Sequence, residues 1–152
     1  MLQILNRAAT PPPPTQTTNP TPRRFLGRSA LIVDDSEAHR TTIAAMLRRL
    51  SFADMHEAID GVEGLAITRD VRPDVVICDL KMDHGNGFEF LRALRKDQDS
   101  ALRRTPVVIA SGLSGSGTVL KSVALDGSAF LAKPFRRDEL ADTLARVLGE
   151  LN

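Results

Sequence analysis

Short apolar runs recur from Ser29 onward, and helix-period segments lie between them. Ala30–Val33, Val75–Cys78 and Val107–Ala110 are unbroken runs of apolar residues rich in β-branched side chains. Runs this short, without alternation, predict strands covered on both faces. Ala129–Ala132 predicts another strand, and Asp54–Ala58 a weaker one. Ser36 can cap a helix from Glu37 to Leu50, where Ile43, Ala44, Met46, Leu47 and Leu50 recur at helical spacing. Further helices are predicted over Gly61–Asp70 (Val62, Leu65, Ile67), Gly87–Lys96 (Phe88, Phe90, Leu91, Leu94), Thr118–Leu125 and Arg136–Leu148 (Leu140, Leu144, Val147, Leu148). Arg72-Pro73 ends the helix over Gly61–Asp70, and Asp126-Gly127 makes a turn after Thr118–Leu125. Five strands alternating with five helices predict an α/β fold, a parallel sheet with helices on both faces and right-handed crossovers.

Composition divides the chain near Arg28. Thr10 to Pro22 holds six prolines among Thr, Gln and Asn, a composition that cannot bury a core. Residues 1–28 are therefore expected to form a disordered Pro-rich arm, and residues 29–152 one domain. Met1 to Ala9 could form a helix too short to hold alone. A net charge of +1 gives no electrostatic case for direct DNA binding. The Arg doublets Arg23-Arg24, Arg48-Arg49, Arg103-Arg104 and Arg136-Arg137 are dispersed and read as solvated helix ends. The lone cysteine, Cys78, lies in an apolar run, cannot form an internal disulfide and reads as a small hydrophobe. No apolar stretch reaches the length of a membrane span, and no signal peptide is visible. A cytoplasmic location is expected.

The chemistry lies just after the strands. Asp34-Asp35 follow the first and Asp79 the third, and in an open α/β sheet the carboxyl edge of the strands is where ligands bind. Like charges about 4 Å apart cost about 4 kcal/mol at an effective dielectric of about 20. A cluster of three carboxylates thus calls for a hard divalent cation, and Mg²⁺ suits so few carboxylates. Ser111-Gly112 follow the fourth strand and Lys133-Pro134 the fifth. Acids, a hydroxyl and a lysine so converge on one edge.

This set resembles the receiver domain of two-component response regulators. The resemblance runs from about Ser29 to Leu148 and rests on Asp34-Asp35, Asp79, Ser111, Phe130 and Lys133-Pro134-Phe135. It implies a flavodoxin-like, doubly wound five-stranded sheet in the order 2-1-3-4-5. It also implies that Asp79 accepts a phosphoryl group from a phosphohistidine of a sensor histidine kinase or a phosphotransfer protein. Asp35, Asp79 and the backbone carbonyl of Lys81 would hold Mg²⁺ directly, with Asp34 acting mainly through water. Lys133, the Ser111 hydroxyl and the Gly112 N–H would contact phosphoryl oxygens, and the peptide before Pro134 would be cis. Phe130 would be the switch aromatic, passing the change to a face made by the fourth helix, fifth strand and fifth helix, where a downstream protein docks. On this reading the chain is a stand-alone signalling switch rather than an enzyme acting on a separate substrate.

One position departs from the family pattern. Asp83 stands where proline is usual, which implies a freer loop, more negative charge and an altered phosphoryl lifetime. Gly112 to Thr118 faintly resembles a phosphate-cradling loop but lacks its lysine. His39, His56 and His84 have no metal-ligand spacing. Two other classes compete. A pseudo-receiver would bind partners without phosphorylation, which the complete set of acids, Ser111 and Lys133 argues against. A haloacid-dehalogenase-like phosphatase needs a second Asp two residues after its nucleophile, where this chain has Lys81.

Overall fold

The computed structural model of the chain describes residues 25–112 and 128–149. Its parallel sheet contains β1 (Ser29–Val33), β2 (Asp54–Ala58), β3 (Val75–Asp79), β6 (Val107–Ser111) and β7 (Ala129–Ala132). A separate hairpin pairs β4 (Lys81–Met82) with β5 (Gly85–Asn86). The helices are α1 (Glu37–Arg49), α2 (Gly61–Val71), α3 (Gly87–Arg95), the one-turn α4 (Ser100–Arg103) and α5 (Arg137–Val147). Neighbour order in the sheet is β2-β1-β3-β6-β7, with every pairing parallel. Counting the five sheet strands alone, this is the expected 2-1-3-4-5 order of a doubly wound α/β fold.

Each apolar run splits its side chains between two cores, as the two-residue period of a strand requires. Ala30, Ile32, Val75, Ile77, Val108, Ala110 and Leu131 pack with Ile43, Ala44 and Leu47 of α1 and Leu140, Leu144 and Ala145 of α5. Leu31, Val33, Val76, Cys78, Val107 and Ile109 pack on the other face with Phe90, Leu91 and Leu94 of α3 and Leu102 of α4. Polar side chains cap the helices where the sequence starts them. Ser36 accepts the His39 N–H, Asp60 the Glu63 N–H and Asn86 the Glu89 N–H.

Several details differ from the sequence reading. Of the apolar positions expected on α2, Leu65 and Ile67 pack partly buried against the core, whereas Val62 is exposed. Gly64 and Thr68 are its fully buried residues. A side chain at 64 would bring its Cβ within 2.9 Å of Val33 Cγ2, so α2 lies closer to β1 than a bulkier residue allows. Phe25 is buried and stacks on Phe52 with ring centroids 5.4 Å apart. The hairpin and α4 were not expected. The predicted helix Thr118–Leu125, the turn after it, most of the Gly-rich stretch and the arm up to Arg24 lie outside the described residues. Among the described residues no helix is long and apolar enough to cross a membrane.

Candidate functional site

Strand register assembles the site. Val33 lies opposite Cys78, and Asp79 lies opposite Ala110. The acids that end β1 and β3 are thereby brought to the same edge as Ser111, the last residue of β6. One carboxylate oxygen from each of Asp34, Asp35 and Asp79 lies within 4.8 Å of the others. Asp34 and Asp79 are buried, whereas Asp35 is exposed. Lys133 follows β7, and its backbone N–H donates to the Ser111 carbonyl at 2.7 Å. Its Nζ stands 2.8 Å from Asp34 Oδ2 and 3.5 Å from Asp79 Oδ1. The Lys133–Pro134 peptide is cis, as the resemblance implied. Asp79, Lys81, Ser111, Gly112 and Lys133 line one end of a cleft of about 590 Å³, which continues over Ile43, Met46 and Phe135.

Burial, first of all, pushes the Asp79 carboxyl above the usual carboxylate range. The Lys133 ammonium and the Lys81 backbone N–H oppose that rise, and the Asp34 charge adds to it. The Cys78 thiol is also pushed up, mainly by burial and then by Asp79 and Asp34. It is therefore no thiolate nucleophile, in keeping with its reading as a core residue.

Both acids of the Asp34-Asp35 pair are anchored. The Asp34 N–H donates to the Ala58 carbonyl at 3.0 Å, and Asp34 Oδ1 accepts the Ser36 N–H at 2.9 Å. Arg40 donates to the Asp34 carbonyl at 2.7 Å while also pairing with Glu57 of β2. Asp35 Oδ2 accepts the backbone N–H of Asp83 at 3.0 Å. A proline at 83 would have no such donor. The loop after Asp79 thus gains an anchor on Asp35 that a proline at 83 would remove. It is paired in the β4–β5 hairpin and tied to an acid of the cluster. Gly85 takes φ +101° in that hairpin, a conformation glycine adopts readily.

Three residues that the sequence reading left aside belong to this arrangement. Gly87 starts α3 so close to Asp79 that a Cβ there would lie 2.6 Å from the Asp79 carbonyl oxygen. Arg40 clamps the Asp34 backbone. His39 Nδ1 lies 3.2 Å from Lys133 Nζ and 3.4 Å from Asp34 Oδ2. The available signal for His39 was its place in the first turn of a helix that begins directly after the acid pair. By contrast, His84 is exposed in the hairpin, and His56 pairs in register with Leu31 in the sheet. Phe130 is half-buried against the α3-side core and does not line the cleft.

The acids Asp34, Asp35 and Asp79 offer a cation carboxylate oxygens and outnumber the Lys133 ammonium beside them. The arrangement can hold a small divalent ion and present a buried carboxylate beside an ammonium and a hydroxyl. Comparison with known proteins agrees. The chain is 38% identical over 109 residues to protein-glutamate methylesterase/protein-glutamine glutaminase 1 of Myxococcus xanthus, covering 70% of this chain but 30% of that protein. It thus spans about a third of that relative's length. Among solved structures, chemotaxis response regulator CheY4 of Vibrio cholerae superposes with a TM-score of 0.70 at 32% identity, covering 80% of this chain and 98% of that one. The receiver domain of sensor histidine kinase PA1611 from Pseudomonas aeruginosa, with a magnesium ion coordinated in its active-site cleft, gives a TM-score of 0.68 at 28% identity. That match covers 81% of this chain and 98% of the other. The sequence pattern of the response regulator receiver domain matches residues 30–145, and with that match the chain belongs to the receiver domain family of two-component signalling.

Proposed function

We propose that this receiver accepts a phosphoryl group on Asp79 and thereby switches a protein-binding face. The observation that carries the reading is the approach of Asp34, Asp35 and Asp79 to within 4.8 Å, with Lys133 Nζ reaching two of them. A metal site alone has no use for the lysine or for the buried Ser111 hydroxyl. A phosphoryl site uses both. A carboxylate oxygen of Asp79 would attack the phosphorus of a phosphohistidine on a sensor kinase or phosphotransfer protein. The new P–O bond forms as the P–N bond breaks, and its electron pair returns to the imidazole. Lys133, Ser111 and the Gly112 N–H would meet the phosphoryl oxygens.

The donor set fits Mg²⁺, which favours hard oxygen ligands, and the magnesium in the PA1611 receiver supports the same assignment here. Asp35, Asp79 and the Lys81 carbonyl would hold it directly, with Asp34 acting through water. When bound, it neutralises the carboxylates and the transferring oxygens. Asp83 supports Asp35 through its backbone N–H. The added charge at Asp79 would draw in Ser111 and let Phe130 repack. β7, α5 and the segment between β6 and β7 would then offer a changed surface to a downstream protein.

Incubating the protein with a small-molecule phosphodonor and Mg²⁺ tests this. Wild type should acquire an acyl phosphate that Asp79→Asn does not. An unlabelled wild type, or undiminished labelling of the variant, contradicts the reading.

A further inference from the structure

The ammonium of Lys133 has an acceptor that the phosphoryl reading does not use. Its Nζ lies 2.8 Å from Asp34 Oδ2 and 3.2 Å from His39 Nδ1, but 3.5 Å from Asp79 Oδ1. The first two are hydrogen-bond distances, and the third is longer than the usual range for an N–H···O bond. The resting ammonium therefore sits closer to Asp34 and α1 than to the phosphoacceptor, while staying within ion-pair reach of Asp79. His39 is well placed to keep it there. It stands in the first turn of α1, with its backbone N–H on the Ser36 cap. Nδ1 accepts from the ammonium when the ring proton is on Nε2, and the same nitrogen lies 3.4 Å from Asp34 Oδ2.

We propose that His39 is a positioning residue, a resting-state latch that holds Lys133 on the α1 side of the cleft until a phosphoryl group draws it away. This rests on the reading of Lys133 as a phosphoryl contact. A contact made in the ground state and given up in the transition state slows the chemical step. Removing the acceptor while keeping the bulk should speed phosphorylation of Asp79. Two variants separate the acceptor from its volume. The amide oxygen of His39→Asn can occupy the place of Nδ1, whereas His39→Leu fills similar space with no acceptor.

The measurement is the rate of Asp79 phosphorylation from phosphoramidate at saturating Mg²⁺. His39→Leu should react about three- to tenfold faster than wild type, the span expected for one modest hydrogen bond. His39→Asn should restore the wild-type rate. A His39→Leu rate equal to or slower than wild type, or equal rates in the two variants, overturns the latch. The side-chain ¹⁵N resonance of Lys133 in metal-free, unphosphorylated protein gives a second readout. It should move in His39→Leu and hold in His39→Asn, and an unmoved resonance in His39→Leu overturns the contact. Should wild type take no label, the phosphoryl reading fails, and the resonance alone decides whether His39 holds Lys133.

Discussion

Two groups of acids in this molecule meet opposite fates. Asp34, Asp35 and Asp79 crowd the carboxyl edge of the sheet, where Lys133 supplies an ammonium to two of them. Asp97 and Asp99, beyond the far end of α3, are matched charge for charge. Arg69 lies 2.8 Å from Asp97, and Arg72 lies 2.6 Å from Asp99. Backbone N–H groups complete that set, from Asp99 to Asp97 and from Ala101 to Asp99. The consequence shows in their proton affinities. The Asp99 N–H chiefly holds the Asp97 carboxyl below the ordinary range, and the Arg72 hydrogen bond does the same for Asp99. Burial pushes Asp79 the other way. Acids that only hold structure are neutralised within the fold, whereas the cleft acids keep a deficit of positive charge that a divalent cation can fill.

Cutting the cation from each group should break the symmetry most visibly. Lys133→Met leaves the buried Asp34 carboxylate without its ammonium and should cost about 2–4 kcal/mol of unfolding free energy at neutral pH without metal. Part of that loss should return on adding Mg²⁺. Arg69→Met removes a half-exposed arginine and leaves Asp97 the Asp99 N–H, so it should cost less, with no response to Mg²⁺. Denaturant titrations of both variants check this, and equal losses would remove the distinction between the groups.

A smaller effect comes from pH, with opposite signs. The folded state binds a proton on Asp79 more tightly than the unfolded chain does. That group's contribution to stability therefore falls as pH rises from the ordinary carboxylate range through its raised value, and it stays lost above. Asp79→Asn removes this penalty, so without metal the variant should be more stable than wild type at neutral pH and gain nothing in acid. Asp97 has a lowered value, so its contribution is present at neutral pH and disappears as pH falls through that value. Asp97→Asn should be less stable than wild type at neutral pH and equal to it in strong acid. Thermal unfolding across pH gives both curves.

How much of this was legible follows from the kind of signal each feature carries. The sheet strands are buried on both faces, so they appear as apolar runs, and Asp34, Asp79 and Ser111 fall where those runs stop. Lys133 was readable for the same reason. The β4–β5 hairpin escaped because strands of two residues have no period to detect. The helix α2 was legible only in part, because Gly64 and Thr68 are its fully buried residues while Leu65 and Ile67 pack partly buried and Val62 is exposed. Gly87 gave no sign that Asp79's carbonyl stood against it, since close approach is a property of the fold. His39 was judged as a possible metal ligand against other histidines. Its partner is a lysine 94 residues away, which only the parallel crossovers bring to it. Asp83 was read by its side chain, whereas its backbone N–H makes the contact with Asp35.

The central claim is that Asp79, assisted by Ser111 and Lys133, is a phosphoryl site coupled to Phe130. Two-dimensional NMR with Mg²⁺, recorded with and without the phosphoryl mimic beryllofluoride, tests it most directly. The account predicts that beryllofluoride shifts Asp79, Ser111 and Lys133 and, beyond the cleft, Phe130, and that Asp79→Asn abolishes these changes. Spectra unchanged by beryllofluoride, or changes that persist in Asp79→Asn, would contradict it.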